Sequence, residues 1–91
     1  MSRRKKRLQR IRQNPKNVSL DDLCHALEDY GVMYLQTTGS HYTFRYVLQG
    51  QTELLVIPFR RPVKLAYVKQ ALKLIDQIIE EQGDDDDSDD D

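Results

Sequence analysis

Tryptophan is absent from this 91-residue chain, and cysteine occurs once, at Cys24. A lone cysteine allows no internal disulfide and no thiolate metal cluster, which fits a reducing compartment. No run of about twenty apolar residues is present, so no segment is suited to cross a bilayer as a helix. The N-terminus is basic, but only Leu8 and Ile11 are apolar before Val18, so it lacks the hydrophobic segment of a secretory signal. The expectation is a cytoplasmic protein with no membrane association. The glycines do not form a phosphate-binding loop or a nucleophile elbow, and no pair of carboxylates falls on facing strands. His, Cys, Asp and Glu nowhere take up ligand spacing, and the Asp run lacks the glycine of a calcium loop. No metal and no cofactor are therefore expected.

Acid is missing from the first sixteen residues, which carry eight Lys or Arg, while residues 84–91 hold seven Asp. The formal net charge of -1 is thus a cancellation between two ends. Without those seven Asp the chain carries 14 basic and 8 acidic residues, a balance that points to a polyanionic partner. Three segments follow: a basic arm over 1–17, one folded domain over 18–83 and an acidic tail over 84–91. Leu8 and Ile11 allow the arm some helix, which Asn14-Pro15 ends. The tail is too charged to bury a core and reads as disordered. Its default role is solubility; a sharper one is to fold back on the basic face and compete with nucleic acid.

Within the domain, Ser19 is a good N-cap, Asp21 and Asp22 complement the helix dipole, and Leu20, Leu23, Cys24 and Leu27 recur at helical spacing. This predicts a helix over about 20–30, closed by Gly31. Cys24 falls on its apolar stripe as an inert thiol, and His25 falls on its exposed side. The next stretch carries the chemistry. Gly39-Ser40 is a two-residue turn between strands over 32–38 and 41–48. Alternation puts Tyr42, Phe44 and Tyr46 on a core face and His41, Thr43 and Arg45 on an open one. Pairing Thr38 with His41 sets Leu35 opposite Phe44 and Met33 opposite Tyr46, and leaves Tyr34 and Gln36 on the open face. A three-residue connection, Gln49-Gly50-Gln51, leads to a third strand over 52–59. In that register Leu54 and Val56 join the core, while Leu55 and Ile57 lie open, where a partner protein or nothing covers them.

A long helix over 64–82 closes the domain. Its stripe of Leu65, Val68, Leu72, Ile75 and Ile79 is widened by Tyr67, Leu74 and Ile78, which suggests an outer surface for a second chain; the alternative is cover by the arm or a loop. The fold class is α+β, in the order α-β-β-β-α, a three-stranded antiparallel meander with both helices on one face. Antiparallel pairing brings His41 near Arg60, Arg61 and the start of the last helix, a corner suited to phosphate. An imidazole there can take a proton from a ribose 2′-hydroxyl or give one to a leaving oxygen, and arginine can stabilise charge on phosphorus oxygens. From the residues alone, His41 is either such a group or an idle surface histidine.

Four features carry a resemblance over residues 18–82. They are Leu20-Asp21-Asp22-Leu23 running to Gly31, the turn Gly39-Ser40-His41 with aromatic alternation after it, the aliphatic strand ending Ile57-Pro58, and Tyr67-Val68-Lys69-Gln70-Ala71-Leu72 in the last helix. Together they resemble the HicA family of toxin–antitoxin ribonucleases, whose fold is like that of double-stranded-RNA-binding domains. The resemblance implies a metal-independent mRNA interferase with His41 as its catalytic histidine and Gly39 closing the turn. It also implies a HicB-type antitoxin that covers the surface, with any oligomer built through that antitoxin. Many relatives carry a second histidine after the proline that ends the third strand, where this chain has Phe59. On this reading Arg45, Arg60 and Arg61, with Gly39, Ser40 and Thr43, bind substrate phosphate, Tyr34 or Tyr42 stacks a base, and Tyr67, Leu74 and Ile78 face a partner. The alternatives are an RNA-binding module without catalysis, with Lys64 and Lys69 gripping backbone, and a pure protein-interaction module.

Overall fold

A computed structural model of the chain describes residues 2–83, so the acidic tail lies outside the described residues. The elements are α1 (Arg3–Gln13), α2 (Leu20–Asp29), β1 (Met33–Thr38), β2 (His41–Leu48), β3 (Gln51–Pro58) and α3 (Leu65–Gln82). The expected α-β-β-β-α order is present, with an additional helix before it. The sheet is an antiparallel meander in the order β1-β2-β3, with β2 central.

Each element has a local cause. The Ser19 hydroxyl accepts from the Asp22 amide at 3.0 Å and starts α2. At its other end the Val32 amide donates to the Leu27 carbonyl and the Gly31 amide to Glu28, the paired closure of a Schellman motif. Gly39 has φ +62, as the first position of a type II′ hairpin turn requires. Between β2 and β3, Gln49 and Gly50 have φ +54 and +77, the two positive values of a type I′ turn. That connection is therefore two residues long rather than three, and the third strand is shifted by one residue from the sequence-based register.

The consequence is a reversal of faces. Leu55 pairs with Phe44 and Ile57 with Tyr42, and all but the half-buried Tyr42 are buried, whereas Leu54 and Val56 stand on the open face opposite Arg45 and Thr43. Leu54-Leu55-Val56-Ile57 is apolar on both faces, so hydrophobicity alone leaves the choice nearly degenerate and the turn decides it. A bulge at Leu35 makes the second correction. Tyr34, not Leu35, pairs with Phe44, and Met33 pairs with Arg45. Tyr34 therefore leaves the open face for the aromatic one, with ring centroids 6.1 Å from Tyr42 and 6.0 Å from Phe44. Its hydroxyl shares a 2.6 Å hydrogen bond with Thr37.

The N-terminal segment is part of the fold rather than a separate arm. α1 is capped by Ser2, and its Leu8 and Ile11 are 5% and 3% exposed in one core with Leu23, Leu27, Phe44, Ile57 and Ile75. Two ion pairs fix its outer side, Arg7 to Asp29 on α2 and Arg12 to Asp76 on α3. Leu74 and Ile78, expected on an outer surface for a second chain, are buried in this same core, and Tyr67 is half-buried against it. The widened stripe of α3 is thus covered from within the chain. Burying an aliphatic side chain is worth about 1.5–3 kcal/mol, so Leu8 and Ile11 bind α1 to the core more firmly than its exposed charges do.

Two outcomes test this architecture. Leu8→Ala is expected to cost about 2–5 kcal/mol in urea denaturation, the loss for a buried leucine, whereas a detached arm would lose nothing. Gln49→Asn is expected to gain roughly 0.5–1 kcal/mol, because Asn tolerates the left-handed conformation that Gln adopts at a cost.

Candidate functional site

His41 is the first residue of the central strand, paired with Thr38 on one side and Pro58 on the other. Its side chain is exposed on the sheet face opposite the helices, as the alternation predicts. The Phe59 amide donates to the Ser40 carbonyl at 2.7 Å, so the β2–β3 pairing runs past the strand ends and holds the Gly39-Ser40 turn against the segment leading to Arg60 and Arg61. Gly39, Ser40, His41, Pro58 and Phe59 therefore meet at one end of the sheet. Arg60 is exposed and has no ion-pair partner among the described residues.

Arg45 is not part of that corner. It shares the open face with His41, but four residues of strand separate them by about 13 Å. It lines a hollow at the far side with Met33, Val47, Gly31 and Gln82. Thr43 lies between the two, half-buried and beside Val56. Besides the polar Gln36, Thr38 and Thr52, the open face is aliphatic: Met33, Leu35, Val47, Leu54 and Val56 are 42–60% exposed. A sheet face with one imidazole, one guanidinium, no carboxylate and this much apolar surface is suited to being covered.

Arg61 turns the other way, around the sheet end to the helix side. Its guanidinium lies 5.4 Å from the centroid of the Phe59 ring, and Phe59 is 6.3 Å from Tyr42. These three groups wall a cavity of about 530 Å³ whose other side is the start of α2: Asn17, Ser19, Leu20, Asp21, Asp22 and Cys24. The Val63 amide donates to the Val18 carbonyl at 2.9 Å and ties the two walls together. Val18 and Val63 are both buried, which anchors this tie in the core. In the sequence Ser19, Asp21 and Asp22 read as capping residues, and nothing in their spacing indicates that the β3–α3 connection folds over them. Phe59 follows directly from Pro58, and that adjacency was the available signal.

Cys24 lines this cavity half-buried, and burial, with the charges of Glu28 and Asp21, pushes its thiol up to about 11. It is a protonated wall atom at neutral pH and not a nucleophile. Among the described residues no group of three His, Cys, Asp or Glu is placed to hold a metal, and no helix is long and apolar enough to cross a membrane. In comparisons with family models, curated proteins and solved structures, nothing matched the chain.

The thiol offers a direct check on the cavity wall. At pH 8 alkylation of Cys24 is expected to run about a hundredfold slower than for an ordinary cysteine and to accelerate as pH rises toward 11. Fast alkylation at neutral pH contradicts the placement.

Proposed function

We propose that the protein is a metal-independent endoribonuclease of the toxin–antitoxin type, acting on mRNA through His41 and held silent by a HicB-type antitoxin. The observation that carries this reading is the solvent-facing imidazole on the central strand, at the sheet end that also bears Ser40 and Arg60. The Gly39-Ser40-His41 resemblance supports it independently.

The chemistry follows from these groups. Neutral His41 takes the proton of a ribose 2′-hydroxyl, and the 2′-oxygen attacks the adjacent phosphorus. As the bond to the 5′-oxygen breaks, the imidazolium returns the proton to that leaving oxygen. The products are a 2′,3′-cyclic phosphate and a free 5′-hydroxyl. Arg60 stabilises the charge on the phosphoryl oxygens, and the short backbone of Gly39-Ser40 lets the phosphate approach closely. With Phe59 where relatives place a second histidine, His41 serves both proton transfers in turn. The open-face aliphatics beside it supply the surface that a protein inhibitor covers, and Arg45 among them favours an acidic group on that inhibitor.

A second reading has its own observation. The His41 side chain has no hydrogen-bond partner among the described residues to orient it, which suits an RNA-binding module without catalysis. The two readings separate in one assay. His41→Ala is expected to abolish cleavage of a ribo-oligonucleotide and growth inhibition while leaving the circular dichroism spectrum unchanged. A single 2′-deoxy substitution at the cleavage position is expected to protect the strand. Full cleavage by the alanine variant sinks the nuclease mechanism, and salt-dependent binding with no products from the wild type favours the second reading.

A further inference from the structure

The cavity on the helix side of the sheet end is not used by the chemistry at His41, although the two share the strand start and the Phe59 segment. We infer that it is a base-specificity pocket for the nuclease site, built to receive a single splayed guanine. This inference rests on the RNA-directed reading above and names the substrate feature that the reading leaves open.

Size and walls come first. A volume of about 530 Å³ falls within the roughly 300–1,000 Å³ of small-ligand pockets. One wall is a run of π surfaces, with Tyr42 and Phe59 6.3 Å apart and the Arg61 guanidinium over Phe59. Unstacked RNA bases are commonly held on such aromatic and guanidinium planes. The opposite wall is mostly polar, with Asn17, Ser19, Asp21 and Asp22, and Leu20 and Tyr42 add apolar surface that favours a flat ring over water.

The charges then select what enters. Asp21 and Asp22 are set against one Arg, so the interior carries a net negative charge and repels a phosphate. Neither carboxylate has an ion-pair partner among the described residues, although Arg61 lines the same cavity and is engaged on Phe59 instead. An ionised carboxylate is an acceptor only, so its partner must present donors. Among the four RNA bases, guanine alone offers two adjacent donors on its Watson–Crick edge, N1–H and the N2 amino group. Adenine and cytosine set one amino group beside an acceptor nitrogen, and uracil sets its single N–H between two carbonyls. The Asn17 side-chain amide, which also lines the cavity, can donate an N–H to O6 or N7, both of which are acceptors.

The placement also suits the chemistry. With the base held on the helix side, its ribose and phosphate leave around Phe59 toward Ser40 and His41, so the pocket fixes which phosphodiester bond meets the imidazole. Phe59 then acts as a positioning residue, holding the base by stacking against its ring.

The test is a titration of the full chain with each of the four nucleoside 5′-monophosphates and with inorganic phosphate, followed by amide chemical shifts. Guanosine monophosphate is expected to give saturable shifts at Asn17–Asp22, Tyr42 and Phe59–Arg61, with an affinity about tenfold or more above the other three. The Asp21→Asn/Asp22→Asn variant and, separately, Phe59→Ala are each expected to lose at least that factor while keeping the fold by circular dichroism. Equal responses to all four nucleotides, or shifts that inorganic phosphate reproduces, overturn the pocket. The readout needs no cleavage, so a protein that cuts RNA yet ignores guanosine monophosphate refutes the pocket alone. Guanine-selective binding by a protein that cuts no RNA refutes the nuclease mechanism alone.

Discussion

The Gln49-Gly50 connection closes the second hairpin in two residues, both in the left-handed region. Strand pairing has a period of two, so this single residue count determines whether Leu55 and Ile57 or Leu54 and Val56 face the helices. Every other contact of the core is compatible with the outcome: Phe44 and Ile57 become fully buried beside Val68 and Ile75, and Leu55 nearly so. The hairpin tip is also anchored from outside, by the Gln49 amide donating to the Glu81 carboxylate at 2.9 Å near the end of α3. The turn therefore specifies the composition of both sheet faces at once, the packed one and the bare one.

Much of the fold is legible in the residues for identifiable reasons. Ser19 and Gly31 bracket α2 because their capping chemistry is local, and the Gly39-Ser40 turn fixes the alternation of β2 because only two residues intervene. The assignments that changed depend on information the local pattern does not contain. Leu54-Leu55-Val56-Ile57 satisfies either face, so its register is invisible to hydrophobicity. The bulge at Leu35 exchanges Tyr34 for Met33 without any proline or glycine to mark it. Leu74 and Ile78 widen the stripe of α3 because the core they join includes Leu8 and Ile11, and two apolar residues in a strongly basic segment are a faint signal of a docked helix.

The candidate site divides along the same line. His41 and its exposure follow from alternation in one strand, and the approach of Pro58 and Phe59 follows from antiparallel pairing. Arg45 reads as a neighbour of His41 in the sequence, but strand rise separates them. The cavity between α2 and the β3–α3 connection depends on the contact of Val18 with Val63, forty-five positions apart in the chain, and no short-range pattern announces it. A single strand end thus presents an imidazole to one side of the sheet and an aromatic, acid-lined cavity to the other. The proposed division of labour, bond cleavage on the open face and base selection on the covered one, grows from that two-sidedness.

The account stands or falls on which apolar residues of β3 are hidden. Adding a soluble paramagnetic agent to the methyl-labelled protein reads this directly by NMR. The structure predicts strong broadening of the Leu54 and Val56 methyls, with those of Leu55 and Ile57 spared. The opposite pattern would place the third strand one residue out of register, rearrange the corner around His41 and contradict the two-faced site.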